Sequence, residues 1–69
     1  MTPVNSSSLE AIGYDSRTRQ LTVKFRNGGV YHYENVAPQH HARLMGAESV
    51  GRYFMEHIRG SHRAKKADA

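Results

Sequence analysis

Alternating apolar and polar residues in the first half of the chain predict β-strands. The clearest case is segment 21–26, where Leu21, Val23 and Phe25 share one face of a strand and the polar residues between them share the other. Segment 30–33 contains a valine and two tyrosines, which suit a pleated surface. We expect these two segments to pair as antiparallel neighbours.

A third strand is predicted before them. Residues 9–14 also alternate, although the pattern leaves open which set faces the core. Residues 15–18 include Asp and Ser, whose side chains bond to the local backbone in turns. Residues 27–29 are Asn-Gly-Gly, which supplies the positive φ angles of a tight hairpin. Three short strands joined by local turns form a meander.

The hydrophobic period changes to that of a helix after Val36. Pro38 suits the first turn of a helix, because its missing N–H needs no partner there, and Gly46 is a typical helix end. Ser49 is a typical N-cap for a second helix that runs to about Arg59. This second helix carries an amphipathic stripe at Val50, Tyr53, Phe54, His57 and Ile58.

These elements predict an α+β fold, a three-stranded antiparallel β-meander followed by two short α-helices packed on one face. Residues 1–7 are expected to form a flexible leader, residues 8–60 a single domain, and residues 61–69 a flexible basic tail without an apolar anchor. We expect the helices to bury Leu44, Met45, Val50, Phe54 and Ile58 against Leu21, Val23 and Phe25.

Composition narrows the class of protein. A chain of 69 residues is long enough for one domain and not for two. It contains no cysteine, which excludes disulfides, and no apolar run approaches the roughly 20 residues of a membrane span. The N-terminal residues lack the basic start and apolar stretch of a signal peptide. We therefore expect a cytoplasmic monomer without membrane association.

No group of residues predicts catalysis or a metal site. A nucleophile needs an activating base held in a pocket, whereas the serines cluster in the leader and the acidic residues form no recognisable pair. His40 and His41 are adjacent and point about 100° apart on a helix. His57 and His62 lack the i, i+4 spacing of helical zinc ligands. We expect a non-catalytic protein without a metal or cofactor.

The chain has a formal net charge of +4, which indicates a nucleic acid or an acidic protein as the class of partner, because basic surfaces attract both. Lys24 and Arg26 are expected on the outer face of the sheet. Arg52 and Arg59 are expected on one face of the second helix, and the tail extends their charge. The candidate nucleic-acid-binding residues are Lys24, Arg26, His32, Arg52, Arg59 and Arg63. An ordinary solvated surface is the alternative interpretation.

Tyr31 and Tyr33 lie on one face of their strand, and the hairpin register decides which face. A two-residue loop pairs Lys24 with Tyr31 and places both tyrosines on the basic outer face, where they could stack on single-stranded bases. A three-residue loop at 27–29 pairs Phe25 with Tyr31 and places both in the core. The second register is favoured, because a small domain needs its large aromatic side chains in the core and can hardly leave two of them in water.

Several short motifs in a fixed order resemble those of the KTSC domain family. They are Ser7-Ser8, Ile12-Gly13-Tyr14-Asp15, Leu21-x-Val23-x-Phe25, Asn27-Gly28, Tyr31-x-Tyr33, Val36, Leu44, Ala47-x-Ser49-x-Gly51-x-Tyr53-Phe54 and Ile58-Arg59. The resemblance covers residues 6–60. The family is named after the C-terminus of some lysyl-tRNA synthetases and also occurs as short stand-alone bacterial and phage proteins. Pro38, His40-His41 and Met55 depart from its usual pattern.

The resemblance implies RNA binding, a function suggested by the association with synthetases. Two hypotheses follow. The first is a module that binds RNA or single-stranded DNA through phosphate contacts. The second is a protein-interaction module that docks an acidic partner, such as an accessory to the translation or transcription machinery. Exposed aromatic side chains beside cations would favour nucleic acid, and a bare apolar patch would favour a protein.

Overall fold

The computed structural model describes residues 1–67 and contains one antiparallel sheet of five strands in the order β1-β2-β3-β4-β5. The strands are β1 (Thr2–Pro3), β2 (Leu9–Asp15), β3 (Gln20–Phe25), β4 (Val30–Tyr33) and β5 (Ala64–Lys66), and the helices are α1 (Pro38–Met45) and α2 (Val50–His57). The predicted α+β class is confirmed. The prediction of three strands is wrong, because the sheet has five.

The two additional strands are short edge strands near the chain ends. β1 pairs with β2, and β5 pairs with β4. Every residue of β1 and β5 is exposed, so no apolar period marks these strands in the sequence. The predicted leader, residues 1–7, and the predicted tail, residues 61–69, therefore both contain regular structure. Residues 68 and 69 of that tail lie outside the described residues.

β3 carries the centre of the core, as its alternation predicts. Leu21 and Val23 are fully buried, and their cross-strand partners Tyr33 and Ile12 are buried beside them. The buried cluster consists of Leu9, Ile12, Leu21, Val23, Tyr33, Val36, Leu44, Val50, Phe54 and Ile58. Because the helical members of this cluster pack on one set of strand residues, α1 and α2 cover one face of the sheet.

The β3–β4 hairpin turns through a loop at residues 26–28. The N–H of Phe25 donates to the carbonyl of Gly29 at 2.8 Å, and Gly28 adopts a φ of +98°. The Asn27 Oδ1 atom accepts the N–H of Gly29 at 2.9 Å. This is a three-residue hairpin loop with glycine in the left-handed region.

The observed register places both tyrosines of β4 on the helix-covered face. Tyr31 pairs with Val23, and Tyr33 pairs with Leu21. Both predicted registers are wrong, because the loop begins at Arg26 rather than one residue later. The observed pairing is displaced by two residues from the predicted three-residue-loop register, which leaves the faces unchanged. Both tyrosines therefore lie on the core-facing side of the sheet, as expected for a small domain that buries its large aromatic side chains.

β2 contains a bulge at Glu10, where the pairing shifts between Leu9 and Ala11. The bulge turns Leu9 and Ile12 to the same side, and both are fully buried. Simple alternation would have placed them on opposite faces. Glu10 itself is exposed, and its Oε2 atom lies 3.0 Å from the Nζ atom of Lys24.

Both helix starts agree with the sequence prediction. α1 begins at Pro38, and α2 follows Ser49, whose Oγ atom accepts the N–H of Arg52 at 3.3 Å. Gly51 of α2 is buried, and a Cβ atom there would lie 2.8 Å from the Oγ atom of Ser6. The absent side chain thus lets the segment before β2 pass directly over α2. Neither helix, nor any other within residues 1–67, has the length and apolar character needed to cross a bilayer.

Candidate functional site

An open groove of about 420 Å³ lies beside β4, β5 and the end of α2. Its lining residues are Phe25, Asn27, Tyr31, Tyr33, Arg59 and Ala64, and we call this set the groove. Aromatic rings and a cationic side chain therefore border the same space. Such a combination can hold a planar ligand that carries negative charge.

The aromatic rings of the groove are held by edge contacts. The rings of Phe25 and Tyr31 meet at a centroid distance of 5.6 Å and an angle of 82°. Phe54, which is fully buried in α2, meets the Phe25 ring at 5.7 Å and the Tyr33 ring at 5.2 Å, again edge to face. These contacts orient the rings, so the groove presents fixed aromatic surfaces.

Arg59 brings positive charge to the groove. Its backbone N–H donates to the carbonyl of Phe54 at 3.0 Å, which places the residue at the end of α2. Burial raises the pKa of the Tyr33 phenol, Arg59 acts in the opposite direction, and Tyr31 adds to the rise. The Tyr33 hydroxyl is therefore a neutral group that can donate a hydrogen bond at neutral pH.

β5 brings further cations to the edge of the sheet. Lys66 pairs with Tyr31, and Lys65 pairs with His32. Because side chains alternate along a strand, Lys66 lies on the groove side and Lys65 on the opposite side with His32. The carbonyl of Arg63 accepts the N–H of Glu34 at 3.0 Å, which extends the β4–β5 pairing by one residue. Arg63, a predicted binding residue, therefore lies at the same edge of the sheet.

The uncovered face of the sheet carries the second group of predicted residues. The His32 Nδ1 atom lies 2.9 Å from the Thr22 Oγ1 atom and 3.0 Å from the Gln20 Nε2 atom. Lys24 shares this face, but its Nζ atom lies 3.0 Å from the carboxylate of Glu10. The structure brings Lys24 and His32 together on one face, with part of the charge of Lys24 compensated by Glu10.

Two predicted binding residues lie elsewhere. Arg26 belongs to the hairpin loop, and its Nε atom donates to the carbonyl of Ser6. The prediction that Arg26 lies on the outer face of the sheet is therefore wrong, because β3 ends before it. Arg52 is exposed on α2 with its Nε atom 3.6 Å from the carboxylate of Glu56, whereas Arg59 lines the groove. The prediction that they share one face of the second helix is wrong, because α2 ends at His57.

Sequence reasoning missed several parts of the groove. Phe25 is assigned by its alternation to the core, and Asn27 is assigned only to a turn. Ala64 falls in the predicted tail, as does Lys66, which lies on the groove side of β5 without lining the groove. The chain offers no local signal for this assembly, since the groove forms only when β5 pairs with β4.

Tyr14 and His41 form a contrasting aromatic cluster between β2 and α1. Their rings stack at a centroid distance of 4.5 Å and an angle of 12°. The Tyr14 hydroxyl donates to the carbonyl of Val36 at 2.6 Å, and the Val36 N–H donates to the carbonyl of Arg19 at 2.9 Å. Burial lowers the pKa of His41. We call Tyr14, Val36 and His41 the closed cluster, because its two rings stack on each other and internal partners engage the Tyr14 hydroxyl and the Val36 backbone.

A third aromatic group joins the two helices to the segment before β5. The His40 Nδ1 atom lies 3.3 Å from the Tyr53 hydroxyl, and the rings of His40 and His62 meet edge to face at 5.8 Å. Across residues 1–67, no three His, Asp or Glu side chains converge in the manner of metal ligands.

Comparison with known protein families identifies the same family as the sequence motifs. The KTSC domain profile matches residues 5–62. The chain belongs to the KTSC domain family. The resemblance noted from the sequence motifs is thereby confirmed, and the match includes the groove residues from Phe25 to Arg59 while ending before Ala64.

Relatives of this KTSC domain include both short proteins and one long enzyme. A protein of Stutzerimonas stutzeri is 39% identical over 59 residues, which cover 86% of this chain and 83% of that protein. A lysine–tRNA ligase of Nostoc punctiforme is 35% identical over 54 residues, which cover 78% of this chain and 10% of the ligase. The crystal structure of a KTSC domain protein from Yersinia pestis is 39% identical with a TM-score of 0.94, covering 97% of this chain and 94% of that one.

Proposed function

We propose that this KTSC domain is a non-catalytic cytoplasmic module that binds RNA. The observation that supports the proposal is an open aromatic groove beside Arg59 and the cations of β5. Aromatic rings next to positive charges form the kind of surface that binds single-stranded nucleic acids. A related segment occurs in a lysine–tRNA ligase, an enzyme named for an RNA substrate, and this agrees with the same class of ligand.

The cations offer a path for the phosphates around the β5 edge. Arg59 and Lys66 lie on the groove side, and Lys65 lies on the other side of the sheet. Arg63 lies immediately before the strand. A backbone crossing this edge would contact cations on both sides, which gives affinity without sequence selectivity.

An acidic protein partner is the alternative proposal, with an accessory role in translation or transcription. It would use the same cations. The buried core of a protein interface, however, is more apolar than the rest of the surface and is depleted in lysine, whereas the edge beside the groove carries Lys65 and Lys66. Among residues 1–67 the exposed large hydrophobic side chains are Met1 and Met55, which lie outside the groove. The aromatic groove therefore favours RNA over a protein partner.

Fluorescence anisotropy with labelled single-stranded RNA, at low and at moderate salt, tests the proposal. We expect binding that weakens steeply with salt, because counterions are released from the phosphates. Arg59→Glu should weaken binding by about ten-fold or more at low salt. The control is Arg17→Glu, the same charge change at a side chain that is 90% exposed in the β2–β3 turn.

The control variant should bind within roughly three-fold of the parent, since it changes only the long-range charge. Equal losses in Arg59→Glu and Arg17→Glu would show that binding reports net charge, and would contradict a site at the groove. Absence of RNA binding at low salt, together with binding of polyglutamate, would replace the RNA proposal by the acidic-partner proposal.

A further inference from the structure

The hydroxyl groups of the chain's four tyrosines fall into two pairs. Those of Tyr14 and Tyr53 have partners inside the protein, at 2.6 Å and 3.3 Å. Tyr31 and Tyr33 instead line the groove. Polar groups at fixed positions around an aromatic floor are typical of sites that bind one planar, polar ring.

Asn27 adds a side-chain amide to this floor. Its Oδ1 atom accepts the N–H of Gly29 at 2.9 Å, which orients the side chain at the mouth of the groove. The Nδ2 atom is then the end of the amide that can donate to a ligand. An oriented amide donor beside an aromatic ring suits the hydrogen-bonding edge of a nucleobase.

The dimensions of the groove favour a single nucleotide unit. Its volume of about 420 Å³ lies near the lower end of the range for small-molecule sites. Stacked and paired bases of a duplex would not present a free ring face to it. A base that has left the stack would present both its face and its edge.

The charge of the groove matches the phosphate attached to such a base. The guanidinium of Arg59 is planar and can bind two phosphate oxygens at once. Lys66 pairs with Tyr31 and adds a second cation on the same side of the sheet. Aromatic floor, amide donor and guanidinium therefore border one space.

We propose that the groove holds one unstacked nucleobase of an RNA strand, with the phosphate of that nucleotide bound by Arg59. This inference rests on the proposed RNA binding. It adds that the domain recognises single strands, with Tyr31 stacking on the base and Asn27 and Tyr33 bonding to its edge.

A backbone-amide NMR titration with adenosine 5′-monophosphate, adenosine and inorganic phosphate tests the site directly. We expect the mononucleotide to shift the amides of Asn27, Tyr31, Tyr33 and Arg59, and to compete with single-stranded RNA. Adenosine should shift the same amides at higher concentration, since it lacks the phosphate. Identical shifts from inorganic phosphate and the mononucleotide would overturn the base site and leave an anion site only.

Substitutions at Tyr31 then separate stacking from phosphate binding. Tyr31→Leu should lose about ten-fold in affinity for single-stranded RNA, because stacking on an aromatic ring is lost. Its dependence on salt should stay that of the parent, because no phosphate contact is removed. Tyr31→Phe keeps the ring and should bind within roughly three-fold of the parent, which separates the contribution of the ring from that of the hydroxyl. Circular dichroism of Tyr31→Leu checks that this variant is folded.

The outcomes distinguish this inference from the proposed function. Unchanged single-strand affinity in folded Tyr31→Leu would overturn the base site while leaving RNA binding through β5 in place. Equal affinity of the parent for duplex and single-stranded RNA would also overturn it. Mononucleotide binding without any RNA binding would instead contradict the proposed function and identify the groove as a site for a free nucleotide.

Discussion

The closed cluster and the groove contain similar residues in opposite states. Each places tyrosine on the helix-covered face of the sheet beside a nitrogen-containing side chain, His41 in the first and Arg59 in the second. Tyr14 is stacked and its hydroxyl is bonded to the backbone, whereas the half-buried Tyr31 and the buried Tyr33 line the groove. Residue type alone therefore does not separate a structural aromatic cluster from a binding surface. The internal partner of the Tyr14 hydroxyl marks the difference between the two clusters.

The largest effect should come from removing the support of the groove. Phe54 is fully buried and contacts two groove rings edge to face. We expect Phe54→Ala to lower the free energy of unfolding by about 3–5 kcal/mol, most of the stability of so small a domain. Urea denaturation followed by circular dichroism measures it. The neighbouring Met55→Ala, at a side chain that is half exposed, should change stability by less than about 0.5 kcal/mol. Equal losses of stability in Phe54→Ala and Met55→Ala would contradict the role of Phe54 as the support of the groove rings.

The next effect concerns the closed cluster. Tyr14→Phe removes the donor to the Val36 carbonyl and leaves that acceptor unpaired in a buried residue. We expect a loss of about 1–2 kcal/mol in the free energy of unfolding. RNA affinity should be unchanged once the variant is folded. A stable variant with weakened RNA binding would contradict the assignment of Tyr14 to structure.

A smaller effect is a dependence of stability on pH through His41. Burial lowers its folded-state pKa below 6.5, so the unfolded chain takes up the proton first as the pH falls. The stability contributed by neutral His41 is full above the unfolded pKa and is lost as the pH falls through the lowered folded pKa. His41→Phe keeps a ring beside Tyr14 and removes this titration. Unfolding measured above and below 6.5 should show a flatter pH dependence in the variant.

The smallest stability effect is expected at Tyr31. Tyr31→Phe removes a hydroxyl that lines the groove, so the free energy of unfolding should change by less than about 0.5 kcal/mol. Mononucleotide affinity should fall modestly. If Tyr31→Phe and Tyr14→Phe destabilise the protein equally, the distinction between the groove and the closed cluster fails.

Local signals were sufficient where a segment carries its own pattern. The alternation at Leu21, Val23 and Phe25 marks β3, Pro38 marks the start of α1, and Ser49 caps α2. In each case the residues that determine the element lie within it. The family resemblance was likewise carried by the order of short motifs along the chain.

The features that the sequence did not predict depend on pairing and packing between segments that are distant in the chain. β5 has no buried residue, and only its backbone hydrogen bonds to β4 create it. The bulge at Glu10 shifts the β2–β3 register, and the loop beginning at Arg26 sets the β3–β4 register. The pattern of apolar residues in the sequence indicates neither of these features. Arg59 and Tyr31 meet through tertiary packing, so their spacing in the sequence predicts nothing about the groove.

The bulge at Glu10 also bears on which changes of chain length the protein tolerates. Deleting Glu10 would make Leu9 opposite Phe25 and Ala11 opposite Lys24 consecutive pairs of a regular ladder, so Leu9 would stay on the same face as Ile12. Replacing Glu10 would remove only an exposed ion pair, which contributes little. At this position the protein should therefore tolerate both substitutions and a single-residue deletion, whereas a deletion in the regular part of β2 would move the residues before it to the opposite face.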